Sequence, residues 1–572
     1  MFLNQCNLII MNDYDTIVIG SGPGGLSAAI CLARAGQKVI VLEQHYVPGG
    51  WCHNFTLNGQ RFCPGVHYIG NLQKGESTAT LFQGLDIAND VAFFRMNTKA
   101  YEHCYIGNEK IDMPATARKL YQSLAERFPA EKKAIKKYLS IIEKVGAQLE
   151  LLPKLKTLKD FLTAPYKLRH LIKYLPFSLK RVIDWHIKDP LLKDILNIQC
   201  GDYALPPSQA SFVLHCAIMT HYFNGAYYPV GGGGALIKAM TNAIKKYGSE
   251  VKVEHPVARI LVEGDKIKKA IGVELANGQL LYAKNIISNA DPEKTFRQMV
   301  GTQNLSKKLI SKLSNTKYSL SSLILFLTVD LDVHKFGIDS GNIWLNQKID
   351  IDKQYEAIMK IDLSSDDEFP AMFISCSTLK DPVSYNGRYH NFEIVALIDN
   401  KLFSEFFGTY NYQSPKYIDY KHRACQKFIK SLEKIMPGIN NHIIQMDLGT
   451  PKTNNFYINC TNGNIYGTQK TLKQIAGSMV YKQTTEIKNL YLCGASTLAH
   501  GVSGASMSGV KTASHILNCD IEDLLQPDVT QNIRIYDAED SSTWPQWVHN
   551  KIADKKNRFK EPAPEKPLLQ AI

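Results

Sequence analysis

Apolar runs and amphipathic stretches follow one another in an order that predicts a nucleotide-binding βαβ unit at the start of the chain. Asp15-Thr-Ile-Val-Ile-Gly20 is a β-branched apolar run, the pattern of a strand buried on both faces. Leu26, Ile30 and Ala33 then recur at helical spacing up to Gly36, and Lys38-Val-Ile-Val-Leu42 predicts a second strand. Much later, Leu236, Met240 and Ile244 predict a helix ending near Gly248. Strand candidates follow at Val251–Val253, around Glu263-Gly-Asp265 as a hairpin, and at Asn285–Asp291. Asn489-Leu-Tyr-Leu-Cys493 predicts a late strand, and a helix from near Ser503 or Gly504 runs through Leu517. The stretches in between hold alternating strand candidates such as Ser322–Val329 and show no solenoid repeat.

These patterns predict an α/β protein in which one domain is threaded between pieces of another. A short extension (1–12) precedes a discontinuous nucleotide domain built from 13–85, 226–300 and 470–520. A substrate domain of mixed sheet and helices takes 86–225 and 301–469, and a basic, Pro-containing tail takes 521–572 as a solvated extension.

The turn after the first strand carries the first chemistry. Gly20, Gly22 and Gly25 satisfy G-x-G-x-x-G, with Gly24 beside them. Gly20 permits the tight turn, Gly22 lets backbone approach a pyrophosphate, and Gly25 lets helix and strand pack closely. The helix N-terminus offers N–H groups and positive dipole to phosphate. Glu43 stands where a ribose diol would be bound, and an acid there favours FAD or NAD over NADP. Gly49-Gly50 supplies a second permissive turn where a longer cofactor continues, and Gly494, Ala495, Ser496, Gly504 and Ala505 surround a late strand–turn–helix aimed at the flavin end of FAD.

Charge changes the picture only locally. The chain of 572 residues is 45% hydrophobic and carries a net charge of +13, and much of that excess is concentrated. Lys154 to Lys188 holds nine Lys or Arg against Asp160 and Asp184, interleaved with Leu158, Leu162, Tyr166, Leu171, Ile172, Leu175 and Trp185. Pro165 and Pro176 break the run into short segments that suit the headgroup layer of a membrane; a basic cap over ordinary core is the alternative. Nucleic acid fits poorly, because the apolar residues are mainly Leu and Ile rather than stacking platforms. No apolar run is long enough to span a bilayer, and Met1 to Tyr14 lacks the basic and apolar regions of a secretory leader. The twelve Cys are scattered without a C-x-x-C, which reads as reduced thiols and predicts no metal site. A cytoplasmic, peripherally membrane-associated protein is expected.

Beyond these features, the chain from about 13 to 518 resembles the flavoprotein family of phytoene desaturases, carotenoid cis–trans isomerases and retinol saturases. Gly50-Trp-Cys-His-Asn-Phe55 with Pro64-Gly-Val-His-Tyr-Ile-Gly70 is similar to the retinol-saturase branch. So are Phe212–His215 through Tyr228-Pro-Val-Gly-Gly232, Phe369–Pro382 and Gly449-Thr-Pro451. It departs from that branch at Cys63, where an acid is usual, and Gly494–Thr497 with Gly501–Ala505 look more like the desaturase signature. The resemblance implies a two-dinucleotide-binding-domain flavoprotein that binds FAD and acts on a carbon–carbon double bond of a hydrophobic polyene or isoprenoid lipid. It also implies an external electron donor or acceptor. Saturation, desaturation and isomerisation all stay open, as does a non-catalytic flavin- or lipid-binding role at a membrane surface.

Hydrogen addition across a double bond needs a proton as well as a hydride, and His53, His67 and Tyr68, just after the second glycine pair, are the candidate donors. For each histidine the competing role is packing or flavin orientation, and for Tyr68 it is a pocket wall. His215 and His221, six residues apart, are read as structural; His500 stays open between the two roles; Cys52 and Cys63 are read as buried thiols.

Overall fold

In the computed structural model, which describes residues 12–155, 157–347, 349–408, 412–526 and 530–558, the chain forms two compact units. Met1–Gly50, Ile237–Thr316 and Tyr481–Gln526 make the first; Trp51–Leu236, Lys317–Val480 and Pro527–Ile572 make the second. Trp51 to Leu85 therefore packs with the second unit, where Ile69 bridges to Tyr227, and the helix Lys307–Asn315 packs with the first.

The centre of the first unit is the strand Tyr14–Ile19, in which Thr16, Ile17 and Val18 are completely buried. It pairs in parallel with Val39–Leu42 on one side and with Leu280–Ser288 on the other, so that Ile17 lies between Ile40 and Ile286. Leu280–Ser288 is long enough to pair twice on its far side, antiparallel with Lys269–Leu275 and parallel with Leu490–Leu492. Glu250–Lys252 closes the edge beyond Val39–Leu42, and Val257–Glu263 pairs antiparallel with Lys269–Leu275. Helices Pro23–Arg34 and Gly501–Leu517 pack on each other through glycine: a Cβ on Gly509 would stand 2.0 Å from the Gly24 carbonyl oxygen.

The second unit is built on a seven-stranded sheet, in the order 443–449, 321–329, 390–398, 371–376, 342–346, 102–106, 109–113. Ser321–Val329 is buried along its whole length, as a central strand between two partners must be. A helical layer containing Lys132–Leu149, Leu179–His186, Pro190–Asn197 and Phe212–Tyr222 covers part of the sheet. Ile142, Ile195 and Phe212 meet Trp344 and Phe373 there in one core, while helix Pro415–Leu432 contributes Cys425 and Phe428 to a second core with Leu325 and Phe392.

The tail departs from the expected solvated extension. Arg534–Asp537 pairs in parallel with Ala92–Arg95, Trp544 sits edge-on to Phe94 at 5.7 Å, and helix Gln546–Arg558 buries Val548. Two tryptophans and one alternating strand are enough apolar surface to hold this piece despite its charge. Pro562, Pro564 and Pro567 lie outside the described residues.

The basic stretch divides by face. Thr157 and Asp160 form a capping box for helix Leu158–Lys167, and Arg169–Tyr174 and Leu179–His186 follow as short helices. Leu171, Tyr174, Leu179, Val182 and Ile183 are core, so part of the stretch is the cap the pattern allowed. Leu158, Leu162 and Tyr166 are 74–78% exposed, and Ile172, Leu175 and Trp185 join them at the surface. Among the described residues, half of the exposed large hydrophobics fall between Leu151 and Trp185. No helix among the described residues is long and apolar enough to cross a membrane.

Candidate active site and cofactor cradle

The glycine turn meets the requirements of a phosphate cradle. Gly20 has φ +90°, and a Cβ on Gly25 would lie 2.2 Å from the Gly20 carbonyl oxygen, so only glycine allows this strand-to-helix approach. No side chain caps the N-terminus of Pro23–Arg34, nor that of Gly501–Leu517, which keeps both dipole ends available to an anion. Gly24 and Gly494 come together around Asn289, whose side chain is within 2.7 Å of where a Cβ would sit on Gly22 or Gly24. Ser21 ties the turn to the second strand: its hydroxyl donates to Glu43 Oε2 at 2.5 Å and accepts from the Gly49 N–H at 3.0 Å. A Cβ on Gly50 would be 3.5 Å from Gly22 Cα.

Glu43 already accepts from Ser21 N–H, the Ser21 hydroxyl and His45 N–H. A carboxylate offers about four lone-pair sites, so Oε1 keeps capacity for one ribose hydroxyl. The donor set and the bare backbone thus fit an extended dinucleotide. Among the predicted residues, Gly20, Gly22, Gly24, Gly25, Glu43, Gly49, Gly50 and Gly494 gather here. Ser496 turns toward Asp291 at 3.3 Å, buried Ala505 lies in the first turns of helix Gly501–Leu517, and Gly504 packs on Ala499. Asn289 and Ser21 were missed, although Asn289 falls inside the strand candidate Asn285–Asp291, just past the observed strand Leu280–Ser288.

In the second unit, His67 and Tyr68 lie beside a buried polar cluster that sequence reasoning missed. The Lys380 ammonium donates to the His67 carbonyl at 2.9 Å, to Ser375 Oγ at 2.7 Å, and to Asn342 Oδ1. Burial pulls Lys380 down to about 7, with Glu393 and Glu102 opposing that fall. Glu393, pushed up to about 7 by burial, accepts from the Cys63 N–H at 3.3 Å and so sets a carboxyl beside the position where an acid was expected. Asp381 Oδ2 accepts from Arg61 and from the Gly231 N–H at 2.9 Å.

Tyr68 stacks on Tyr222 with ring centroids 4.3 Å apart, and its hydroxyl reaches two acids. Glu102 Oε1 is 2.8 Å away, and Asp202 Oδ1 and Oδ2 are 3.0 and 2.8 Å away. Trp344 Nε1–H donates to the same Glu102 Oε1 at 3.0 Å. Burial raises Glu102 to about 7, and burial with the Glu102 charge raises Asp202 well above the carboxylate range. Burial, then Asp202 and Glu102, keep Tyr68 protonated far above its usual value.

The histidines differ in kind. Burial, then the Lys380 charge, takes His67 down to about 3, so its ring is neutral at ordinary pH. His53 is buried with its ring 6.0 Å from Phe55. His215 lies between Tyr203 Oη at 3.0 Å and the Leu196 carbonyl at 2.8 Å, and His221 Nε2 accepts from the Gly70 N–H at 2.9 Å. Each is therefore tied to backbone or a neighbouring side chain within the second unit. Cys52 and Cys63 are buried free thiols whose titration burial pushes up.

Comparison with known proteins decides the family. A model of the flavin containing amine oxidoreductases matches residues 23–335, more than half of the chain. The chain belongs to that family. It is 30% identical to an all-trans-retinol 13,14-reductase of Danio rerio, over 89% of this chain and 87% of the relative. A chloroplastic prolycopene isomerase of Daucus carota is 28% identical over 88% and 80%. An oxidoreductase structure from Methanosarcina mazei superposes with a TM-score of 0.57 at 16% identity, covering 87% of this chain and 99% of that one. The α/β flavoprotein architecture and FAD as cofactor are therefore findings, and the protein is an FAD-dependent oxidoreductase.

Proposed function

We propose that this oxidoreductase reduces a carbon–carbon double bond of a polyene or isoprenoid lipid taken from a membrane surface, in the manner of a retinol saturase. The observation that carries the reading is the similarity to an all-trans-retinol 13,14-reductase along nine-tenths of the chain. The exposed Leu158, Leu162 and Tyr166 among basic residues support a membrane source, since such a face gains by burial at the headgroup boundary. The cradle of Gly20, Gly22, Gly24, Gly25, Glu43, Gly49, Gly50, Gly494, Ala495, Ser496, Gly504 and Ala505 holds the cofactor in this reading.

Reduced FAD supplies the hydride when bound. The chain's own task is the proton. His67, neutral and beside an ammonium, suits packing rather than acid catalysis, and buried His53 suits orientation of its neighbours. Tyr68, a hydroxyl that stays protonated, is the donor.

Isomerisation without net redox change is the second reading, favoured by the prolycopene isomerase relative. Anaerobic incubation of chemically reduced protein with all-trans-retinol and with poly-cis carotenoid separates them. Flavin reoxidation stoichiometric with a dihydro product supports reduction. A cis–trans product with the flavin still reduced supports isomerisation, flavin reduction by a saturated substrate supports desaturation, and an inert flavin supports a carrier.

A further inference from the structure

Counting hydrogens at Tyr68 leads beyond this reading while resting on it. A phenol has one hydrogen to donate, yet the Tyr68 oxygen stands at hydrogen-bond distance from both Glu102 and Asp202. Two carboxylates could not both face it, because one contact would set lone pair against lone pair in a dry site. Glu102 Oε1 already accepts from Trp344, so it is the acceptor for Tyr68 as well. The remaining contact needs a hydrogen from the acid. We infer that Asp202 is a proton-bearing carboxylic acid that donates to Tyr68, forming with it a relay that delivers the substrate's proton, and that ionised Glu102 is the positioning residue that orients the phenol.

The surroundings favour that assignment. Glu102 is fully buried and Asp202 keeps partial exposure, so water can reach the outer acid while the inner one is shielded, and the Lys380 charge acts on Glu102 and favours its ionised form. The other titratable groups facing the pair, Tyr101, Tyr222, Tyr355 and Tyr466, are phenols that burial holds neutral. Burial likewise keeps Cys104 near Glu102 and Cys200 near Asp202 as thiols.

The step balances. As a hydride bonds to one carbon of the double bond, the electron pair of the broken π bond takes the Tyr68 proton at the neighbouring carbon. The Asp202 proton moves onto the Tyr68 oxygen, and Asp202 is refilled from water. The alkene gains two hydrogens and two electrons, and reduced flavin becomes oxidised.

Infrared spectroscopy of the purified protein at pH 7 tests the proton directly. Burial gives Glu393 a protonated fraction of its own, so the readout is the difference from wild type: a protonated-carboxyl C=O component that shifts in ²H₂O should be lost in Asp202→Asn and kept in Glu102→Gln, while the Glu393 component is lost only in Glu393→Gln. No loss in Asp202→Asn, or no band in wild type, overturns the assignment. For the relay, the readout is reoxidation of chemically reduced flavin by all-trans-retinol. Tyr68→Phe should slow it by about 10²–10⁴-fold and Asp202→Asn, whose amide preserves the contact, by about 10²-fold, with flavin content unchanged. Unchanged rates in either variant sink the relay. Wild type that carries the band but is reoxidised by no polyene overturns the proposed reaction and leaves the Asp202 proton in place.

Discussion

Gly24 and Gly494 approach so closely that a Cβ on Gly24 would stand 2.9 Å from the Gly494 Cα and 2.7 Å from the Asn289 side chain. Two segments separated by almost the whole chain thus share one glycine-lined edge. Gly24→Ala forces either the first helix or the late turn to move, and the phosphate cradle depends on both. The variant is expected to lose at least nine-tenths of its flavin, read as the ratio of flavin to protein absorbance. Wild-type flavin content in Gly24→Ala would show that this approach does not shape the cradle.

This part of the site was legible because it is local. Strand, turn, helix and second strand follow within one βαβ unit, and each glycine meets a steric demand set by its immediate neighbours. The buried cluster was not legible. Tyr68, Glu102, Asp202, Trp344 and Lys380 come from segments whose proximity only the sheet register and helix packing create. Glu102 pairs opposite Asn342 in a parallel ladder, which sets Trp344 one turn of the pleat away, and no spacing in the chain announces that. The tail was misread for a different reason: its charge masked Ile535 and Trp544, whose partners lie in a strand more than four hundred residues earlier, and the buried Val548.

His103 offers a pH test of the sheet. Its Nδ1 lies 2.7 Å from Asp112 and its Nε2 3.0 Å from Asp339, so both ring nitrogens donate and the imidazole is charged. Burial lowers its pKa, and the two carboxylates overcome burial and raise it to about 9. A histidine raised on folding stabilises fully below its unfolded value of about 6.5 and loses that contribution as pH rises through 9. Unfolding free energy should therefore fall between pH 6.5 and 9 by on the order of 2 kcal/mol, less than the full shift implies because Asp112 is half exposed and screened. His103→Gln should flatten that slope in urea titrations. An equal slope in the variant would remove His103 as its source.

Leu158, Leu162 and Tyr166 recur every four residues, which sets them on one side of their helix, with Lys159 and Arg169 nearby. Burying a leucine is worth about 1.5–3 kcal/mol. Leu158→Asp with Leu162→Asp should cut co-sedimentation with phosphatidylserine vesicles by at least tenfold, without loss of flavin. High salt should weaken wild-type binding, since the basic neighbours act through a screened attraction. Equal vesicle binding by the double variant would refute this face as the contact.

Lys380 and Glu393 form the last test, because each is buried and each makes the other tolerable. Burial lowers the lysine and raises the glutamate, and each partner's charge opposes that displacement. Lys380→Met leaves Glu393 with only the weaker influence of Arg61 and also frees the His67 carbonyl, Ser375 and Asn342 from their shared donor. Loss of one member of a buried pair costs about 3–5 kcal/mol. Adding Glu393→Gln to Lys380→Met removes the stranded acid and should recover a measurable part of that loss, but not the part owed to the three orphaned acceptors. A double-mutant cycle by chemical denaturation reads both terms. Strict additivity of the two substitutions would mean that the charges do not feel each other, and that Lys380 is held by its hydrogen bonds alone.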